Sequence, residues 1–180
     1  MLYDERYINK ISSFQYFFIY ILGTLLQFTF QLSKNNKLVG AFSTINESTW
    51  EHLKLVFFPS ILTIIIGYFY IGKDLPNFIC SKTIGMLSLI AFIVVFFYTY
   101  SGILGKNISI IDISSFYIAV ALGEYISYKL IINNFQCNNA LSLIVLFVLF
   151  ITFIYFTFPP PKIGLFKDPL TGTYEIYNKR

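Results

Sequence analysis

Residues 83–104 have the sequence TIGMLSLIAFIVVFFYTYSGIL, a run that contains no charged side chain. A helix of about 20 apolar residues matches the ~30 Å hydrocarbon core of a bilayer. Short polar connectors separate five predominantly apolar runs of about this length, at residues 12–33, 55–72, 83–104, 112–132 and 140–158. Polar and apolar residues do not alternate as in a lipid-facing barrel, and a helix pairs its own backbone amides. The sequence therefore predicts an all-α fold, a transmembrane bundle of about five helices.

The composition agrees with this fold class, because 56% of the residues are hydrophobic and only 12% are charged. A soluble domain is typically ~25% charged. We expect one transmembrane domain, residues 1–158, and a membrane-adjacent tail, residues 159–180, whose Asp-Pro and Thr-Gly pairs predict an ordered turn. The first apolar run is longer than the ~7–15-residue core of a signal peptide, so we expect it to be retained. These features predict a multi-pass protein of the cell membrane.

The net charge of +4 lies mostly at the ends of the apolar runs. This placement favours the lipid bilayer as partner and argues against nucleic-acid binding. The side that carries the first loop, the third loop and the tail has more Lys and Arg residues than the opposite side. By the positive-inside rule this predicts an outside N-terminus. Cys80 and Cys137 fall in the second and fourth loops, on one side. The sequence favours two unpaired thiols there and leaves a disulfide open.

Residues 46–54, which we call the polar segment, are the strongest candidate site. They contain the only Trp and the only His of the chain. Two Ser/Thr-x-x-Glu patterns, at residues 44–47 and 48–51, fit a capping box. We therefore predict that a helix starts here, continues into the second apolar run and is kinked at Pro59.

On such a helix Glu47, Glu51 and Lys54 share one face, and Trp50 lies on another. One interpretation is an interfacial helix with these charges paired and His52 in solvent. The other is an organised polar site at the membrane face. A zinc motif of the HExxH type needs a second His one turn away, so a metal site would need ligands from other helices. The candidate site residues are Asn46, Glu47, Glu51, His52, Lys54 and Glu124.

Glu124 lies inside the fourth apolar run, where a charge costs ~2.5–3.5 kcal/mol on insertion scales. We expect it to face the bundle interior as a packing carboxyl, hydrogen-bonded to a tyrosine or paired with Lys129 or Lys54. A proton-coupling role and metal binding together with His52 are the alternatives. Asp112 is predicted to be the N-cap of the fourth helix. The first run carries a polar stripe that interhelical hydrogen bonds explain: Tyr20, Thr24, Gln27 and Gln31.

Three blocks of the sequence resemble a bacterial multi-pass membrane protein family of unknown function. They are the pattern NESxWEHxK at residues 46–54 with FFP at 57–59, YTYSGILG at residues 98–105, and FKDPxTGxY at residues 166–174. Family members have a His near the end of the first helix where this chain has Gln27, and a Gly where it has Glu175. The resemblance implies the membrane class and no established activity. If that His is a metal ligand, its replacement argues against a metal site here.

Three functions compete. The preferred one is a non-enzymatic protein whose polar segment binds a lipid headgroup, an ion or a partner protein, with no cofactor. The second is metal-assisted hydrolysis in the membrane, with His52 and Glu124 as ligands and Glu47 or Glu51 as general base. The third is a small transporter that couples to protons through Glu124, against which the missing internal repeat and the low helix number count.

Overall fold

The computed structural model describes residues 5–174, which form helices and contain no β-strand. The helices are α1 (Glu5–Leu32), α2 (Lys37–Gly40), α3 (Thr49–Tyr70), α4 (Phe78–Leu104), α5 (Ser109–Ile132) and α6 (Asn139–Tyr155). Single 3-10 turns lie at Gly72–Asp74 and Gly164–Phe166. The predicted all-α bundle is confirmed. Within the described residues α1, α3, α4 and α5 are long and apolar enough to cross a membrane, whereas α6 has 17 residues.

The start of α3 follows the second of the two capping patterns. Ser48 is the N-cap, and its side chain accepts a hydrogen bond from the amide of Glu51. The first pattern is not used, because Thr44 lies before the helix. Pro59 lies inside α3, as the sequence predicts.

Asp112 is not the N-cap of α5, which corrects the prediction from the sequence. The helix begins at Ser109 after Ile108, which has no side-chain capping bond. Asp112 therefore lies in the first turn, where its carboxylate accepts a hydrogen bond from the hydroxyl of Tyr100. In an N-cap the same carboxylate would accept its hydrogen bond from a backbone amide instead.

Cys80 and Cys137 form a disulfide, so the preference for unpaired thiols is wrong. Because α4 begins at Phe78, Cys80 lies in its first turn rather than in a loop. The backbone amide of Cys80 donates to the Asn139 side chain at 3.1 Å, which holds the start of α4 beside the start of α6. The two sulfur atoms are thereby brought within bonding distance.

Successive long helices run antiparallel, so their ends collect in two groups. One group contains the last turns of α1, α4 and α6, the first turns of α3 and α5, the connector between α1 and α3 (residues 33–48), and the tail. We call this the tail end of the bundle. The helices α4 and α5 approach each other closely where Gly85 and Gly123 face each other, because a Cβ on either one would overlap the carbonyl oxygen of the other. Backbones approach this closely only at small residues.

The core forms around α3, in which Val56 and Phe57 have no exposed surface. The outer helices, by contrast, present large apolar side chains. On α1 a row of these is 54% to 63% exposed: Phe14, Phe17, Ile21, Leu25 and Phe28. The row on α6 is similarly exposed: Leu143, Ile144, Phe147, Val148 and Ile151. Soluble monomers rarely expose contiguous apolar patches of this kind.

Candidate functional site

Glu51 and Lys54 of the polar segment form a buried ion pair. Their exposed fractions are 2% and 0%, and their charged atoms lie 2.6 Å apart. Lys54 Nζ also donates to the Gly40 carbonyl at 2.9 Å and the Thr157 hydroxyl at 3.0 Å. Glu51 accepts from the Ile45 amide at 3.0 Å. The predicted pairing of these two charges is confirmed, but the pair is enclosed by α3, the connector and the end of α6. The interpretation as an interfacial helix does not hold for Glu51 and Lys54, because both are buried.

Trp50 lies on the other face of α3, as predicted, and anchors the tail. Its ring lies 4.5 Å from that of Phe153 on α6 and 4.6 Å from that of Phe166 in the tail, measured between centroids. The tail then forms the expected ordered turn around Asp168, which is 1% exposed and accepts the Leu170 amide at 2.7 Å. The tail is thus packed onto the start of α3.

Glu47 and His52 form a second, more exposed pair. Glu47 precedes α3, so the prediction that it shares a helix face with Glu51 is wrong. Its carboxylate lies 3.4 Å from His52 Nε2, and its amide donates to Asp168 at 3.4 Å. Asn46 shapes the turn that precedes α3, because its side chain accepts a hydrogen bond from the Ser48 amide at 3.0 Å. The side chains of His52 and Glu47 keep 35% and 43% of their surface exposed, so both can contact a ligand.

His52 is oriented by the backbone of α3. Its Nδ1 lies 3.0 Å from the carbonyl oxygen of Ser48. A carbonyl oxygen only accepts hydrogen bonds, so Nδ1 carries the hydrogen in this contact. The other ring nitrogen, Nε2, faces the Glu47 carboxylate. The imidazole is therefore fixed in place by its own helix and presents Nε2 outward.

A cavity of about 400 Å³ lies at the tail end, between α1, α3, α4, α5 and the tail. Pockets for small molecules are typically ~300–1,000 Å³. The lining farther from the helix ends is apolar: Gly23, Leu55, Ile93 and Phe116. The lining nearer the helix ends holds the polar side chains Gln27, Glu47, Thr49, His52, Asn107, Ser109 and Asp112, together with the apolar Phe28, Ile113, Pro169 and Leu170. The carboxylates and the imidazole of the lining, those of Glu47, Asp112 and His52, therefore all lie toward one end of the cavity.

Two aliphatic hydroxyl groups in the deeper part of the lining donate to backbone carbonyls. Thr24 donates to the Tyr20 carbonyl at 2.8 Å, and Ser115 donates to the Asp112 carbonyl at 2.8 Å. Both hydroxyls are thus engaged by their own helices. No lysine or arginine lines the cavity in the part of the chain that the structure describes.

Glu124 lies far from this cavity, near the last turns of α5. Its carboxylate pairs with Lys82 of α4 at 2.6 Å, and not with Lys129 or Lys54. Lys82 was missed because the third apolar run starts after it, whereas α4 begins earlier. His52 and Glu124 are therefore not brought together. Within residues 5–174 no group of three or more His, Cys, Asp or Glu side chains could hold a metal ion.

Asp112 and Gln27 line the cavity together with Glu47 and His52 of the polar segment, and Gln27 is the one that sequence reasoning did not join to that segment. The information was present in the order of the helices. Antiparallel neighbours put the end of the first helix and the starts of the second and fourth apolar runs at one end of the bundle. That placement alone brings Gln27, His52 and Asp112 together.

The fold and the site place this chain among helical-bundle proteins that are compatible with a membrane and carry a cavity at one bundle end. The chain belongs to the family of unknown function DUF6512, whose sequence profile matches residues 5–176. No curated protein and no solved structure matches the chain significantly. The family assignment agrees with the resemblance to a family of unknown function, and the function has to be argued from the site itself.

Proposed function

We propose that this chain is a multi-pass protein of the cell membrane whose cavity binds an amphipathic, lipid-like molecule. The polar head of the ligand lies beside Glu47, His52 and Asp112, and its hydrocarbon chain extends toward Leu55 and Phe116. The observation that carries the proposal is the distribution of the cavity lining, whose carboxylates and imidazole all lie near the helix ends while Leu55, Ile93 and Phe116 lie farther in. A purely polar solute would leave the apolar part of the cavity without a partner.

The membrane placement is supported by helix length and by the outer surface. The apolar part of α1, Ile8–Leu32, has 25 residues. At ~1.5 Å per residue it is about 37 Å long, which exceeds the ~30 Å hydrocarbon core. Contact of the exposed apolar rows of α1 and α6 with lipid is favourable in free energy, whereas their exposure to water is unfavourable. With 17 residues, α6 is at the lower limit of about 17 for a crossing, so we propose five crossings.

The tail end, with its cavity, faces the cytoplasm in this proposal. The connectors and the tail at this end carry exposed lysines, which the positive-inside rule places in the cytoplasm: Lys34, Lys37, Lys106, Lys162 and Lys167. The disulfide between Cys80 and Cys137 lies at the opposite end. Disulfides persist on the oxidising side of a membrane. The two observations are independent and agree.

Binding is tested with the full chain in a neutral detergent, with monomyristoylglycerol and myristyl amine as probes. Ile113 lines the cavity and is 56% exposed, so Ile113→Trp narrows the cavity without burying a ring in the core. Ile118 lies on the same helix outside the cavity lining and is 54% exposed, so Ile118→Trp is the matched control. We expect saturable binding of at least one probe by native mass spectrometry, weakened about tenfold or more by Ile113→Trp only. If neither probe binds saturably, or if the two variants weaken binding equally, the proposal is overturned.

A further inference from the structure

We infer that the head group held in this cavity is a primary ammonium, the charged form of an alkyl amine. The inference rests on the proposed function and names the ligand class of that same cavity. Three features of the lining carry it: the balance of charge, the geometry of Glu47 and His52, and the aromatic rings.

The charge balance of the lining favours a cation. Glu47 and Asp112 both contribute carboxylates, and none of the described lining residues is a lysine or arginine. Asp112 accepts one hydrogen bond from Tyr100, but an ionised carboxylate offers about four lone-pair sites. A phosphate head would face these carboxylates without a compensating charge, which is repulsive. A cationic head would meet complementary charge.

The geometry of Glu47 and His52 favours a head group that donates hydrogen bonds. With Nδ1–H directed at the Ser48 carbonyl, a neutral imidazole presents the Nε2 lone pair to the Glu47 carboxylate, 3.4 Å away. Two acceptors at this distance need a proton between them or a donor that bridges both. A primary ammonium has three N–H donors, as a lysine side chain does. It can therefore donate to His52 Nε2 and to Glu47 at once, whereas a trimethylammonium head cannot.

Aromatic rings complete a site for a cation. Phe28, Phe97 and Tyr117 also line the cavity. The face of an aromatic ring attracts an ammonium by ~0.5–2 kcal/mol, and more when the cation is desolvated. A neutral glyceryl head gains nothing comparable from these rings. The same rings also give the methylene groups next to the nitrogen an apolar contact.

The experiment compares four ligands with the same myristyl chain on the full-length protein: the amine, the trimethylammonium, the phosphate and the monoacylglycerol. We expect the amine to bind about 10- to 100-fold more tightly than the other three, the range of a charge-assisted hydrogen bond. Glu47→Gln and Asp112→Asn should each remove most of this preference. Asp74→Asn removes the same charge from the opposite end of the bundle and should have no effect.

The outcomes separate the two proposals. If the monoacylglycerol binds as tightly as the amine, or if both carboxylate variants keep the preference for the amine, the inference is overturned while cavity binding stands. A phosphate that binds more tightly than the amine overturns it as well. If neither the amine nor the monoacylglycerol binds saturably, the proposed function itself fails. Glu47 lies on the half-exposed connector, so Glu47→Gln keeps the test valid even if Asp112→Asn does not fold.

Discussion

Replacing Lys54 by methionine tests the buried ion pair of α3. The substitution keeps a long apolar side chain but leaves the Glu51 carboxylate 2% exposed with no cation at 2.6 Å. It also removes the donor to the Gly40 carbonyl and to the Thr157 hydroxyl. Breaking one partner of a buried pair costs ~3–5 kcal/mol. We therefore expect Lys54→Met to lower the free energy of unfolding by about this amount.

The measurement is unfolding of the purified protein in detergent micelles by titration with a denaturing detergent, followed by circular dichroism. Lys37→Met is the matched control, since Lys37 is exposed on the connector and lies outside the buried ion pair. Glu51→Gln keeps an oxygen for the Ile45 amide and removes the charge, so Glu51→Gln in combination with Lys54→Met should recover part of the lost stability. If Lys54→Met costs no more than Lys37→Met, or if the double variant loses the sum of the two single losses, the pair is not coupled as argued.

Two further predictions concern the packing of the bundle. Gly85→Ala forces a methyl group into the backbone of α5 and should destabilise the protein by ~1–3 kcal/mol. Gly102→Ala is the control, since a Cβ at Gly102 has nothing within 4 Å, and it should not destabilise the protein. Equal thermal unfolding temperatures of the two variants would refute the close approach at Gly123. Replacing Cys80 and Cys137 by serine opens a crosslink across a sequence separation of 57 and should cost ~2–4 kcal/mol. Two free thiols in the untreated wild-type protein, detected by a maleimide mass tag, would contradict the disulfide.

The sequence predicts the helices well because their information is local. Each apolar run is long enough to be identified by itself, and Ser48 marks the start of α3 through its spacing to Glu51. The sequence predicts helix ends less well, because polar residues at the ends of α1 and α4 remain helical when a side chain of another helix pairs with them. Lys82 is the clearest case. It flanks an apolar run in the sequence, yet it is buried in α4 because Glu124 of α5 neutralises it.

The site was found only in part for the same physical reason. The polar segment stands out by its composition, so Glu51, His52 and Lys54 could be chosen without a structure. The burial of the Glu51–Lys54 pair depends on the connector and on the segment after α6, because the further partners Gly40 and Thr157 come from other parts of the chain. The carboxylate of Asp112 accepts a hydrogen bond from Tyr100 of the preceding helix. Contacts between distant segments of this kind are not encoded in the periodicity of any one helix.

The most direct measurement of the central claim is photolabelling of the full-length protein in lipid bilayers with a myristyl amine that carries a diazirine near the end of its chain. After irradiation, digestion and mass spectrometry, the account predicts label on the deep lining of the cavity, at Leu55, Ile93 and Phe116. An excess of unlabelled myristyl amine should abolish that label. Label confined to the exposed outer row, such as Phe147 and Ile151 of α6, and insensitive to the competitor would contradict a ligand-binding cavity at the tail end.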